Sequence, residues 1–207
     1  MNKEYIKKLL LNLEGIYKDN LDYISELDAA IGDGDHGASM VRGFKAVRIA
    51  MEQTKADSIF KLLDETGNVL MKEIGGTCGP LYAMFFKKGA LAVRDKEELD
   101  TDGFHAFIKA GAEGLMNLGQ AQAGDKTMVD ALAPAVEALK TTLENKEDVW
   151  TAAKKAGEAA NRGRDATAGM VSKRGRGRYQ GDASKGHIDA GAASMAILIN
   201  TFAGKYN

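Results

Sequence analysis

Apolar residues recur at three- and four-residue steps along most of the chain. Ile6, Leu9, Leu10, Leu13 and Tyr17 make one stripe, continued by Leu21 and Ile24, which predicts a first helix over 3–26. Met40, Val41, Phe44 and Val47 mark a second, and Ile59, Leu62, Leu63, Leu70 and Met71 a third. Leu81, Met84, Phe85 and Leu91 carry a fourth, Phe104, Phe107, Ile108, Leu115 and Leu118 a fifth. A sixth contains Met128, Val129, Leu132, Val136, Leu139 and Leu143, with Pro134 expected to kink or restart it. The seventh starts at an N-capping Asp148, and the eighth runs from His187 to Lys205 through Ile188, Ala192, Met195, Ile199 and Phe202. No segment alternates as a half-buried strand does.

Eight helices with short connections predict an all-α, antiparallel up-and-down bundle or barrel forming a single domain over 1–207. Two prolines against 24 glycines fit that picture, since long helices go uninterrupted while glycines supply caps and tight turns. The longest irregular stretch, 165–187, is rich in glycine and basic residues and reads as a mobile loop. No apolar run approaches the roughly 18 residues of a membrane span, and the N-terminus has no cleavage-site pattern. With one cysteine, Cys78, a reducing cytoplasmic setting is expected. A formal net charge of -1 gives no global attraction to nucleic acid or anionic lipid, so phosphate binding has to be local.

Alternate connections of such a bundle lie at one end, and the alternate ones are glycine-rich: DAAIGDGDHG, IGGTCGP, LGQAQAGDKT and RGRGRYQGDASKGH. The others, near TKADS, AVRDKEELDTDG and ENKED, are plain polar turns. Four glycine-rich loops are therefore predicted to converge at one functional rim. In the first, Asp28, Asp33 and Asp35 crowd three carboxylates beside a helix start. A divalent cation relieves their repulsion, and hard oxygen ligands suit Mg²⁺ shared with substrate phosphates. An EF-hand is excluded because its twelfth position, counted from Asp33, is Phe44. A solvated Asp-Gly turn is the plainer reading of this loop.

The spacing of Gly32, Gly34 and Gly37 imitates a dinucleotide fingerprint, but the segment before it, LDYISELDAAI, ends a helix rather than a strand. GQAQAGDKT likewise imitates a phosphate loop with Asp125 inserted before Lys126. Thr77 and Thr127 each stand at a helix N-terminus, where free N–H groups attract anions. Thr127 either caps its helix, with Asp130 completing a box, or meets a phosphate, and Met128 is either core or a wall of a base pocket. Lys173, Arg174, Arg176, Arg178 and Lys185 supply positive charge on the fourth loop; acidic loops at the same end argue against RNA as their partner. His36 and His187 are further phosphate donors, whereas His105 reads as structural.

Together IGDGDHG, GGTCGPLY, GDKTMVDALAP and GRGRYQGDASKGHIDAGAAS resemble the nucleotide-binding L subunits (DhaL) of dihydroxyacetone kinases, over the whole chain and in the same order. The resemblance implies an eight-helix barrel holding ADP and two Mg²⁺ ions at one rim. It implies Asp28, Asp33 and Asp35 as metal ligands and His36, Gly37, Ala38 and Ser39 as the phosphate-contacting start of the second helix. Thr77 and Cys78 fall in the phosphate loop, with Cys78 where serine is common. Gly119 and Met128 fall near the adenine, Arg176 matches the lid arginine as the catalytic cation, and Asp189, Ala190 and Gly191 match the contact opening the last helix. The GRGR repeat leaves Arg174 and Arg178 as alternatives to Arg176.

A chain without a substrate domain resembles the phosphotransferase-system type of this kinase. There ADP stays bound and is rephosphorylated by a phosphohistidine on an M subunit, and the phosphoryl group passes to dihydroxyacetone held by a K subunit. Two alternatives stand beside this expectation. One is the nucleotide domain of an ATP-exchanging kinase, including fatty-acid kinases, whose loop reads DGDTG where this chain has DGDHG. The other is a nucleotide-dependent regulatory module docking a transcriptional regulator.

Overall fold

The computed structural model describes residues 1–204. Helix α1 (Lys3–Asp19) is capped by Asn2, whose side chain accepts the Tyr5 N–H, and buries the predicted stripe from Ile6 to Tyr17. It does not reach 26. The Asn20 side-chain amide donates to the Ile16 carbonyl (2.8 Å) and competes with the helical ladder, so the chain breaks there and restarts as α2 (Leu21–Ile31). The expected first helix is thus two, and the count of α-helices rises from eight to nine among the described residues.

The rest follow as α3 (His36–Gln53), α4 (Ile59–Glu73), α5 (Cys78–Ala92), α6 (Thr101–Gly119), α7 (Met128–Glu144), α8 (Val149–Ala166) and α9 (Ala190–Thr201). Ser58, Asp100 and Asp148 cap α4, α6 and α8 through side-chain oxygens, as the composition of these turns requires. Helix α7 runs unbroken through Pro134, because the buried face of Val129, Leu132, Ala135 and Leu139 offsets the hydrogen bond the proline removes. Asp189 caps the last helix, so it begins at Ala190 rather than His187 and ends at Thr201; Lys205 lies outside the described residues. The 165–187 stretch is less irregular than expected: α8 extends to Ala166, and 3-10 turns cover Thr167–Gly169 and Arg176–Ser184. Among the described residues the backbone makes no strand, only an isolated bridge between Asn2 and Glu98.

From α3 to α9 each helix packs on the next, α1 lies against α3, and α9 also touches α7, α1, α2 and α3. Alanines and small residues let α9 sit at this junction with most of its length buried. Tyr17 stacks on Phe44 with centroids 4.6 Å apart and joins α1 to α3. Phe85, Phe86, Phe104, Phe107 and Phe202 join α5, α6 and the end of α9, each contributing about 1.5–3 kcal/mol by burial. Among the described residues no helix is long and apolar enough to cross a membrane.

Candidate functional site

Helix α2 closes its last turn with the Gly32 N–H on the Asp28 carbonyl (2.5 Å), and the chain then turns through Gly34, whose φ of 76° suits glycine. Gly37, in the first turn of α3, lies against α2 so closely that a Cβ would stand 2.5 Å from the Leu21 carbonyl oxygen. The end of α2 and the start of α3 are thereby pressed together. Asp28, Asp33 and Asp35 converge, with one carboxylate oxygen of each within 4.8 Å of the others. The Asp28 carboxylate also accepts the His36 backbone N–H at 3.2 Å.

Three hard carboxylates without nitrogen or sulfur donors form a donor set that fits Mg²⁺. The charge there already draws a cation: Arg176 ion-pairs with Asp33. Its neighbours in the GRGR repeat go elsewhere. Arg174 reaches Asp125 (3.5 Å), and Arg178 lies over the Tyr179 ring at 4.7 Å. Of the three arginines, Arg176 is the one paired with the acidic cluster.

His36 turns its ring inward. Its Nε2 is 2.8 Å from Ser194 Oγ, the Tyr82 hydroxyl donates to the same oxygen at 2.8 Å, and Ser194 donates its own proton to the Gly191 carbonyl at 3.0 Å. With that proton committed, Ser194 has only lone pairs to offer, so the network assigns the His36 proton to Nε2. Bare Nδ1 then faces Cys78 Sγ at 3.8 Å. Burial lowers the His36 pKa against the opposing pull of Asp28 and Asp35, so the ring is neutral. Burial, with Asp189, Asp28 and Asp35 adding, raises the Cys78 thiol far above its ordinary value and keeps it protonated. Toward the rim, His36 and Cys78 therefore offer no nucleophile; the His36 N–H is held by Asp28, and Cys78 offers its backbone N–H.

Cys78 opens α5, with Thr77 exposed and its hydroxyl not used as a cap. The early N–H groups of a helix lack intrahelical partners, and Pro80 contributes none. Ser39 is buried in the first turn of α3, accepting from Arg42 at 3.2 Å, while Ala38 is exposed. At α9, Asp189 accepts the Ala192 N–H at 2.7 Å, and burial pushes its carboxyl up to about 7 against that bond. Ala190 and Gly191 follow in the same turn, and Met128, only 8% exposed, lies beside Gly191.

Thr127 resolves as a cap. Its hydroxyl accepts the Val129 N–H (3.1 Å), and Asp130 accepts the Thr127 N–H (2.7 Å) and that of Gly124 (2.6 Å). Gly119 ends α6 next to Leu81 of α5, and beside it opens a cleft of about 750 Å³ lined by Met116, Asn117, Gln120, Ala121, Asp125 and Arg174. Its size suits a ligand as large as a nucleoside.

The four glycine-rich loops do meet. His36 touches Cys78, Arg176 pairs with Asp33, and Asp125 pairs with Lys173 at 3.3 Å. Sequence reasoning gave no role to Ser194, hidden in an alanine-rich helix, or to Lys126, which sits in the imitation phosphate loop but is buried and donates to backbone carbonyls. His187 enters the network through its carbonyl, and its side chain is exposed.

A family model for the DAK2 domain matches residues 30–204. The chain is similar to the ADP-binding subunit DhaL of the PEP-dependent dihydroxyacetone kinase of Escherichia coli, 32% identical over 98% of this chain and 97% of that one. It is also similar to the ADP-binding subunit DhaL of the PTS-dependent dihydroxyacetone kinase of Lactococcus lactis, 36% identical over 89% of this chain and 88% of that one. Among solved structures it matches the dihydroxyacetone kinase of C. freundii in complex with AMP-PNP and Mg²⁺, with a TM-score of 0.75 and 22% identity. That match covers 98% of this chain but only 34% of the larger kinase, and it establishes the fold alone.

Proposed function

Because the chain belongs to the DAK2 domain family, we propose that it is the ADP-binding subunit of a dihydroxyacetone kinase of the PEP- and PTS-dependent type. The observation that carries this reading is the convergence of Asp28, Asp33 and Asp35 beneath Arg176 in a chain that matches such subunits over nearly their full length. The nucleotide stays in place while phosphoryl groups arrive from a phosphohistidine on an M subunit and leave to dihydroxyacetone on a K subunit. Residues 1–207 form one nucleotide-binding domain working in the cytoplasm, and a transcriptional regulator is a further candidate partner.

The chain's own residues divide the work as follows. Asp28, Asp33 and Asp35 hold two Mg²⁺ ions. Bound there, magnesium neutralises charge on the phosphate oxygens. At the starts of α3 and α5 the backbone N–H groups of Gly37 and Ala38 and of Thr77 and Cys78 receive phosphate oxygens, flanked by His36 and Ser39, whose own N–H groups are held by the Asp28 carboxylate and the Asp35 carbonyl. Gly119 and Met128 flank the adenine near the cleft at the end of α6, and Asp189, Ala190 and Gly191 complete the wall at α9. Arg176 places its guanidinium where charge develops on the transferred group, which needs positioning and electrostatics rather than a nucleophile from this chain. That division suits a buried neutral His36 and a protonated Cys78.

Incubating the protein with phosphoenolpyruvate labelled in its phosphoryl group, the phosphotransferase proteins and the K and M subunits tests the reading. Label is expected first on nucleotide held by this chain and then on dihydroxyacetone. Label that reaches the ketose only when free ATP is supplied would overturn it.

A further inference from the structure

We propose that Lys126 is a positioning residue: with Asp125 it anchors the 170–187 segment and so holds Arg176 over the acidic cluster. This rests on the reading of Arg176 given above. Lys126 is 1% exposed, and its Nζ donates to three carbonyls, Met170 (3.2 Å), Ser184 (2.5 Å) and His187 (2.6 Å). An ammonium has three donors, and all three are used on one segment. Two of the carbonyls lie on the far side of Arg176 in sequence and one on the near side, so a single side chain ties both ends of the span that carries the arginine.

The segment has almost no buried side chains to hold it. Between Val171 and His187 only Ser172 and Ser184 are buried, and Lys173, Arg174, Arg176, Arg178 and Lys185 are all exposed. Without apolar burial its place depends on polar contacts, and several lead to the same two residues. Asp125 accepts the Lys173 N–H on its carbonyl (3.0 Å) and meets the Lys173 and Arg174 side chains at 3.3 and 3.5 Å. Burial raises the Asp125 carboxyl, but the Gln122 N–H and these two cations outweigh it and leave its pKa below the ordinary value. Within the segment, Ser184 Oγ accepts the Ser172 N–H at 2.9 Å and cross-ties the span next to the lysine.

The backbone points the same way. Lys126 has a φ of 61°, a left-handed conformation that is strained for a non-glycine residue unless its surroundings compensate. Glycine would relieve the strain and lose the ammonium. Capping of α7 begins only at Thr127 and uses Asp130, so starting the helix does not require a lysine here.

The test compares wild type, K126M, R176A and the double variant in the kinase assembled with its K and M subunits, alongside limited trypsin digestion of the chain alone. K126M is expected to lower kcat by about 10- to 100-fold, the effect of a small misplacement of a catalytic group. The double variant is expected to turn over no more slowly than R176A, because the anchor acts through the arginine. Trypsin cleavage after Lys173, Arg174, Arg176, Arg178 or Lys185 is expected to accelerate at least about tenfold in K126M as the segment opens. A merely structural lysine would leave the two activity losses multiplicative, and that result, or unchanged cleavage, overturns the proposal. R176A at wild-type turnover would overturn the reading of Arg176 instead, with cleavage still deciding the anchor. If K126M does not fold, D125N, which leaves the buried ammonium in place, takes its position in the same cycle.

Discussion

Replacing Ser194 with alanine removes one hydroxyl and strands two buried donors. Tyr82 and His36 both donate to Ser194 Oγ at 2.8 Å, and both side chains lie inside the protein. A buried donor left without an acceptor costs about 1–3 kcal/mol, so S194A should destabilise the protein by about 2–6 kcal/mol. For a chain of this size each kcal/mol lowers Tm by about 2–4 °C, giving a drop on the order of 5–20 °C. Urea denaturation followed by circular dichroism measures the loss. A double-mutant cycle shows whether the mechanism is correct. Tyr82→Phe alone deletes a satisfied hydrogen bond and should cost about 1 kcal/mol, whereas in the S194A background it removes an orphaned donor and should be neutral or stabilising. An S194A cost below about 0.5 kcal/mol, or the same Tyr82→Phe cost in both backgrounds, refutes the hub.

Asp33→Asn should weaken Mg²⁺ and nucleotide binding by at least about tenfold in calorimetric titration while far-UV circular dichroism is unchanged, because Asp33 is exposed and supports no helix. Unaltered affinity would contradict its assignment as a ligand. R176A should lower kcat in the assembled kinase by about 10²- to 10³-fold, the scale of losing one preorganised charge-stabilising donor, and R178A by only a few-fold. Equal losses for the two would mean that the lid selects between arginines differently. Glu14, buried between Lys18 at 2.6 Å and Arg48 at 2.5 Å, has its pKa pulled below 4.5 by Lys18 and then Arg48. The folded state thus binds this proton more weakly than the unfolded one, and the stabilisation is present above about pH 4.5 and lost as pH falls below it. Stability measured against pH should therefore fall less steeply on the acid side in Glu14→Gln; an identical slope would count against the pairing.

The helices were legible because their buried faces repeat at helical spacing from Ile6 to Phe202. The break at Asn20 was not, since an amide reaching the Ile16 carbonyl is a local competition that the apolar pattern does not register. Asp28, Asp33 and Asp35 were readable as a cluster because they are close in sequence, with only α2's last turn and one glycine turn between them. Arg174, Arg176 and Arg178 are equivalent as letters, and only the fold of the segment sends one to Asp33 and another to Asp125. Ser194 and Lys126 escaped for a related reason. Each acts through partners distant in sequence, Tyr82 and His36 for the serine and three carbonyls for the lysine. Thr127 showed both a cap and an anion-site pattern, and the Asp130 geometry decides for the cap.

The most direct test of the central claim is the nucleotide the protein carries. Purified without added nucleotide, then denatured, it is expected to release near-stoichiometric ADP together with magnesium, quantified by chromatography and elemental analysis. An empty site that takes up and releases ATP freely would contradict a resident coenzyme and point to an exchanging kinase. A protein that binds no nucleotide would contradict the assignment of the acidic rim altogether.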